Sequence, residues 1–263
     1  MSVLLRSRDG GIETLTLNRP DSMNALNDDL RDALLSAFAE VREDDEVRCL
    51  VLEGAGPGFC AGGDLDQMRS RDPEEVTAQE YYELLVETSQ TLSSGLYDLP
   101  VPTVAKVDGV AVGAGLGIAL ACDLVVASED ARFGAAFRNV GLGPDTGVSY
   151  TLTRLAGRQA ALELLYTGRV IDAAEAASLN LVTRVVPPED IDDAVADLVA
   201  TIADGPPLAL AATKELVYGN QTRSMDDALD REAEVQARLS TTRDHEEGVD
   251  AFVDDRDPQF RGE

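Results

Sequence analysis

The stretch Asp108–Ser128 reads DGVAVGAGLGIALACDLVVAS. It follows Thr103–Val107, an apolar run that reads as a buried strand. Glycines at 109, 113, 115 and 117 suit a tight turn and a close backbone approach. A helix is expected from about Ala114, and Leu124–Ala127 reads as the next strand. A strand, a glycine-rich turn, a buried helix and another strand in so short a span argue an α/β fold. The apolar run Gly109–Cys122 is too short to cross a bilayer and suits a buried element.

A second junction has the same form. Cys49–Leu52 reads as a short strand, followed by the glycine-rich loop GAGPGFCAGG (Gly54–Gly63) and the segment FCAGGDL (Phe59–Leu65). Both junctions offer N–H groups at an expected helix start, where the helix dipole favours negative charge. Two such donors converging on one oxygen would form an oxyanion hole. Turn geometry and tight helix packing alone are the other reading of the same glycines.

Working outward, Ile12–Leu17 alternates as a strand does, and NRPD (Asn18–Asp21) breaks it. Asp28–Val41 carries Leu30, Leu34, Leu35 and Phe38 at helical spacing. Glu80–Leu96 reads as an amphipathic helix stopped by LPVP (Leu99–Pro102). Phe133–Gly147 reads as irregular, Ser149–Tyr166 as a helix containing Gly157, Ala173–Leu179 as a short helix and Val182–Val186 as a short strand. Strand signals then fade. Helices are expected at Ile191–Ala203, Pro207–Tyr218, Met225–Leu239 and Glu246–Phe252. The break ADGPP (Ala203–Pro207) divides an α/β core, residues 1–203, from a helical region, residues 204–263.

The charge balance narrows the partners. Lys and Arg number 22 against 49 Asp and Glu, a net charge of −27. Nucleic acid and anionic membrane surfaces are therefore excluded as partners. Only Lys106 and Lys214 are lysines. So large a like charge is relieved by concentrated salt, which points to a halophilic source. Cys49, Cys60 and Cys122 are widely spaced, and His245 is the single histidine. No metal site is expected from them, and free buried thiols suit a reducing, cytoplasmic setting. The opening MSVLLRSRDG lacks the pattern of a secretory leader. Neither lysine follows a glycine as a phosphate-binding loop requires, the first strand is not followed by G-x-G-x-x-G, and no G-x-S-x-G occurs.

Several of these segments together resemble one family. LNRPDSMNAL (Leu17–Leu26), FCAGGDL, DGVAVGAGLGIALACDLVVAS with Phe133-Gly134 after it, GLGPDTGVSYTLTRLAGRQAALELLYTGR (Gly141–Arg169) and EGVDAFVDDRDPQF (Glu247–Phe260) are similar, in order, to the enoyl-CoA hydratase/isomerase or crotonase superfamily. The resemblance implies a crotonase (ClpP-like) spiral of β-β-α units with a helical C-terminal trimerisation region, as a homotrimer or a dimer of trimers. It implies an acyl-CoA thioester as substrate, with coenzyme A part of that substrate and no prosthetic group. The thioester oxygen would sit on the backbone amides of Gly63 and Ala114. Ala25, Ala61, Asp64, Leu65 and Asp66 fall at coenzyme A contacts, and Phe252 at a contact to the coenzyme A of a neighbouring subunit. For Asp64 a helix N-cap is the competing role. Arg19, Arg69 and Arg256 are candidate sources of positive charge for the cofactor's phosphates.

The departures are informative. Hydratases of the family carry two glutamates; the matching places here hold Gly117 and Phe137. One acid remains, Asp145 in GPDTG (Gly143–Gly147). The surrounding segment looks closest to the ring-enoyl-CoA isomerases of the phenylacetate pathway, in which an aspartate so placed is the acid/base. A turn or cap role suits the same aspartate. One carboxylate beside an oxyanion hole fits double-bond isomerisation. The alternatives are an enoyl-CoA hydratase working through Asp145 and a non-catalytic CoA-binding paralogue.

Overall fold

The computed structural model describes residues 2–70, 76–87 and 91–263. It begins with a hairpin in which β1 (Leu4–Asp9) and β2 (Ile12–Leu17) run antiparallel, Asp9 opposite Ile12. The turn residues Gly10 and Gly11 have φ of +52° and +82°, a sense that matches the twist of a two-residue hairpin. Every second residue of β2 is buried. Glu13 is one of them, and its carboxylate is held by Arg6 and Arg8 at 2.7 and 3.0 Å. Paired this way, a buried acid is tolerated.

From β3 onward one unit recurs. The strands β3 (Cys49–Gly54), β5 (Thr103–Val107) and β7 (Leu124–Ser128) lie parallel in a six-stranded sheet of order β1-β2-β3-β5-β7-β10, with β10 at Arg184–Val186. Each is followed within a few residues by a short strand of a second sheet: β4 (Gly58–Cys60), β6 (Val110–Val112) and β8 (Arg132–Gly134). These three are parallel to one another, and β9 (Val170–Asp172) closes that sheet antiparallel to β8. Such a β-β-α succession is the spiral that the resemblance implied. At the corner before β6, Gly109 has φ +88°, and a Cβ there would lie 2.1 Å from the Pro57 carbonyl oxygen. Only glycine fits such a corner.

Helices fill the returns. Helix α1 (Asp28–Arg42) is capped by the Asn27 side chain, which accepts from the Leu30 amide at 3.0 Å. It buries Leu30, Leu34, Ala37, Phe38 and Val41, and each large apolar side chain so buried is worth about 1.5–3 kcal/mol. Next come α2 (Leu65–Ser70), α3 (Ala78–Leu85) and α4 (Thr91–Tyr97). Sequence patterning joined the last two into one helix, Glu80–Leu96; residues 88–90 of that span lie outside the described residues. Helix α5 (Ala114–Ala121) is buried on all sides, as expected of an element apolar all round. The span expected as one helix, Ser149–Tyr166, is α6 (Val148–Thr167) with a break: Gly157 has φ 78° and ψ 161°. Helices α7 (Ala173–Ser178) and α8 (Ile191–Ala203) follow. Ile191, Val195 and Val199 of α8 pack on Cys49, Val51, Val104 and Val126, covering the other face of the six-stranded sheet.

The chain ends in helices α9 (Pro207–Gly219), α10 (Met225–Leu239) and α11 (Arg243–Val253). A polar cluster at Asp123 ties α9 to the core. The Asp123 carboxylate accepts from the Thr103 amide and hydroxyl at 2.7 and 3.0 Å and from the Tyr218 hydroxyl at 2.6 Å. Lys214 lies 2.9 Å from it and also donates to the carbonyls of Leu96 and Val101. No single described helix is long and apolar enough to cross a membrane. Asp123→Ala takes the counter-charge from the part-buried Lys214 and the acceptor from the Tyr218 hydroxyl and the Thr103 amide, so chemical denaturation should show a loss of roughly 3–5 kcal/mol. A loss below about 1 kcal/mol, the range of an exposed pair, would contradict this role.

Candidate active site

The first glycine loop is braced from behind. Asn24, fully buried at φ +56°, donates to the carbonyls of Ala55 and Gly58 at 2.9 and 2.7 Å and accepts from the Arg19 amide at 2.8 Å. The Arg19 guanidinium donates to the Ala25 carbonyl and, at 2.9 Å, to Asp64 Oδ2. Asp64 Oδ1 accepts from the amides of Asp66 and Gln67 at 3.0 and 3.1 Å, which caps α2. The Gln67 amide and the Arg19 charge together hold the Asp64 carboxyl below its usual range. Leu26 then pairs with the segment beside it: its amide donates to the Gly62 carbonyl at 2.7 Å, and its carbonyl accepts from the Asp64 amide at 3.0 Å. The Gly63 amide between them donates to no acceptor among the described residues.

The second glycine loop meets the first backbone to backbone. A Cβ on Gly62 would lie 2.8 Å from the Val112 oxygen and 3.3 Å from the Ala114 nitrogen. One on Gly115 would lie 2.1 Å from the Cys60 oxygen. Gly113, at φ +56°, donates to the Gly134 carbonyl at 2.9 Å and turns the chain into α5. Ala114 opens that helix, and its amide, like other first-turn amides, has no intrahelical acceptor.

Gly63, Ala114 and Asp145 line one cavity of about 80 Å³, together with Leu26, Met68, Tyr81, Leu84 and Thr146. Asp28, Arg31 and Asp64 are its other charged neighbours. Arg31 donates to Asp28 at 2.6 Å, and Asp64 is paired with Arg19. Asp145 makes no ion pair among the described residues; the Thr146 hydroxyl donates to its Oδ1 at 3.2 Å. Burial pushes the Asp145 carboxyl above its usual range. The two places at which the resemblance to family hydratases implied glutamates hold no acid: Gly117 lies inside buried α5, and Phe137 is packed into the core.

Four of the sequence-derived site residues, Gly63, Asp64, Ala114 and Asp145, therefore line one cavity, and others have different surroundings. Ala25 is buried, with its carbonyl taken by Arg19. The Ala61 amide donates to the Met23 carbonyl at 2.9 Å. Leu65 and Asp66 are exposed in the first turn of α2. Phe252 is 87% exposed on α11 and does not line this cavity. Of the three arginines considered for phosphate binding, Arg19 braces the loop and Arg256 is bound by Glu247 at 2.6 and 2.9 Å. Arg69 makes no ion pair among the described residues. Two partners escaped sequence reasoning. Arg19 as a brace is legible only once Asp64 lies beside it. Thr146 had one faint signal, the glycine at 117 that leaves room for it. The thiols of Cys49, Cys60 and Cys122 are buried and pushed up to about 12 by desolvation, which keeps them inert.

Comparison with known proteins agrees with this fold. Residues 7–263 match the family model described as enoyl-CoA hydratase/isomerase. The chain is 37% identical to the 1,2-epoxyphenylacetyl-CoA isomerase of Escherichia coli K12, covering 100% of this chain and 99% of that protein. It is 35% identical to the trans-2-decenoyl-acyl-carrier-protein isomerase of Streptococcus mutans, over 98% of both chains. A crystal structure of an enoyl-CoA hydratase from Mycobacterium smegmatis superposes with a TM-score of 0.91 at 38% identity, over 99% of both chains. The protein belongs to the enoyl-CoA hydratase/isomerase family and has its fold.

The raised Asp145 has a consequence for stability. Its folded-state pKa lies above the unfolded one, so the folded chain holds that proton more tightly. Stability from this group is fully present below the unfolded value and is lost as pH rises through the folded one. Asp145→Asn removes that loss. It should raise the melting temperature at neutral pH, with a gain that shrinks as pH falls through the raised pKa. A lower melting temperature at neutral pH would contradict the burial of this charge.

Proposed function

We propose that the protein isomerises the double bond of an enoyl-CoA thioester, with Asp145 as the single acid/base. The observation that supports this reading is the shared cavity: Asp145, free of any cation among the described residues, lines it together with Gly63 and Ala114. The thioester oxygen accepts from both amides. Asp145, ionised, takes a proton from the carbon next to the carbonyl of a 3-enoyl chain. The C–H electron pair moves into a new carbon–carbon double bond, and charge gathers on the thioester oxygen as a dienolate. Donors aimed at that oxygen stabilise charge that exists only after the proton has left. Asp145 then returns the proton two carbons further on, the dienolate collapses, and a 2-enoyl thioester leaves. No net proton or electron is exchanged with solvent.

The lost glutamates favour this over hydration, which needs one group to activate water and another to protonate carbon. Tyr81, Leu84, Leu85 and Leu92 of α3 and α4 line the cavity and suit an apolar acyl group. Coenzyme A is part of the substrate, and Ala25, Ala61, Asp64, Leu65 and Asp66 are the residues proposed to lie along it. Phe252, Val253 and Val249 leave an apolar row exposed on α11. That row supports assembly as a homotrimer or a dimer of trimers, with Phe252 reaching the coenzyme A of a neighbouring subunit. At −27 charges the enzyme is expected to work best in concentrated salt, where a polyanionic substrate is less repelled.

A substrate panel in high salt tests the reading. Conversion of 3-enoyl-CoA to 2-enoyl-CoA should outpace hydration of 2-enoyl-CoA. Asp145→Asn should lower the isomerisation kcat at least about a hundredfold while thioester binding is kept. Faster hydration than isomerisation would favour the hydratase alternative. No turnover of any enoyl-CoA would favour a non-catalytic CoA-binding role.

A further inference from the structure

Helix α5 and the loop before α6 are packed more closely than a side chain at residue 117 would permit. A Cβ on Gly117 would lie 2.2 Å from Thr146 Oγ1, 2.7 Å from its carbonyl oxygen and 2.8 Å from its Cβ. Thr146 therefore occupies the volume a residue at 117 would claim. It is buried, and its φ of +46° is a conformation that a β-branched residue rarely adopts. Strain of this kind persists only where the surroundings enforce it, and it collects at functional sites. The enforced conformation aims the Thr146 hydroxyl at Asp145 Oδ1, 3.2 Å away. The neighbouring peptide is fixed as well, since the Val148 amide donates to the Asp145 carbonyl at 3.0 Å.

We propose that Thr146, seated in the space left by Gly117, is the positioning residue for Asp145: its hydroxyl holds the carboxylate toward the cavity and favours the ionised form. This rests on the reading of Asp145 as the acid/base. Burial opposes ionisation of that carboxyl, and Arg31, which lines the cavity, and Arg19, beside the first loop, are bound by Asp28 and Asp64. A neutral donor on the adjacent residue supports the charge without tying it in an ion pair. The other groups facing the same cavity are Asp28 and Arg31 from α1, Asp64 from the first loop and Tyr81 from α3. A change confined to Thr146 leaves all of them in place.

Thr146→Val keeps the shape and removes the donor. Its kcat for isomerisation should fall roughly tenfold, with KM for the thioester nearly unchanged. The acidic limb of the kcat profile should move to higher pH, because the carboxylate has lost a donor and ionises less readily. Thr146→Ser should restore both the rate and the limb. Gly117→Ala, which displaces the same hydroxyl by contact, should give the same upward move of the limb, and it serves as the readout if the valine variant does not fold. A wild-type rate and profile in Thr146→Val or Gly117→Ala, beside an inactive Asp145→Asn, would overturn this inference alone. An active Asp145→Asn would overturn the acid/base reading and this inference with it.

Discussion

Backbone touching backbone, at Gly62 against Val112–Ala114 and at Gly115 against Cys60, is the constraint on which the site depends. No side chain fits between the two glycine loops, so their distance is set by main-chain atoms alone. The β-β-α succession makes this contact available. Because β4 and β6 run parallel and adjacent, the loops that leave them emerge at the same edge of the second sheet. Among the described residues the Gly63 and Ala114 amides have no acceptor, and both residues line one cavity. Unspent backbone donors in a largely buried place are costly, and the proposed thioester oxygen is what would satisfy them.

The proposed base is arranged from the opposite side. Where family hydratases carry acids, this chain has Gly117 and Phe137, and the glycine lets the Asp145–Thr146 loop move in against α5. On the proposed reading one carboxylate moves the proton in place of two. The same burial that raises the Asp145 carboxyl toward a useful range opposes the stability of the folded chain. If Asp145 is the acid/base as proposed, function and stability pull in opposite directions at this residue. Elsewhere the acids are contained: Glu13, Asp64 and Asp123 each have cationic partners close by.

Much of this was legible before any coordinates. The long elements have strong periods, and α1, α8 and α10 fall where their apolar spacing indicated, as do β2 and β5. The strands of the second sheet, β4, β6, β8 and β9, are not legible in the sequence: each has only three residues, too few to show alternation, and β4 and β6 lie within the glycine-rich stretches. Gly157 was read as tolerated within a helix but breaks it, since nothing in the sequence reveals a φ of 78°. At the site, Gly63, Ala114 and Asp145 were named from motifs, and they do line one cavity. Thr146 leaves only a faint trace in the sequence, the glycine at 117, and the bracing role of Arg19 leaves none. Both depend on which residues the fold brings beside them, a long-range fact that local sequence does not carry.

The central claim is that two backbone amides polarise one thioester carbonyl. Isotope-edited vibrational spectroscopy of a saturated acyl-CoA, labelled with ¹³C at the carbonyl and bound to the protein in high salt, reads this directly. The carbonyl stretch should fall to lower frequency on binding, and Gly62→Ala, which forces the two loops apart, should abolish most of that shift. A bound thioester whose carbonyl stretch stays at its solution frequency in the unmodified protein would contradict the account.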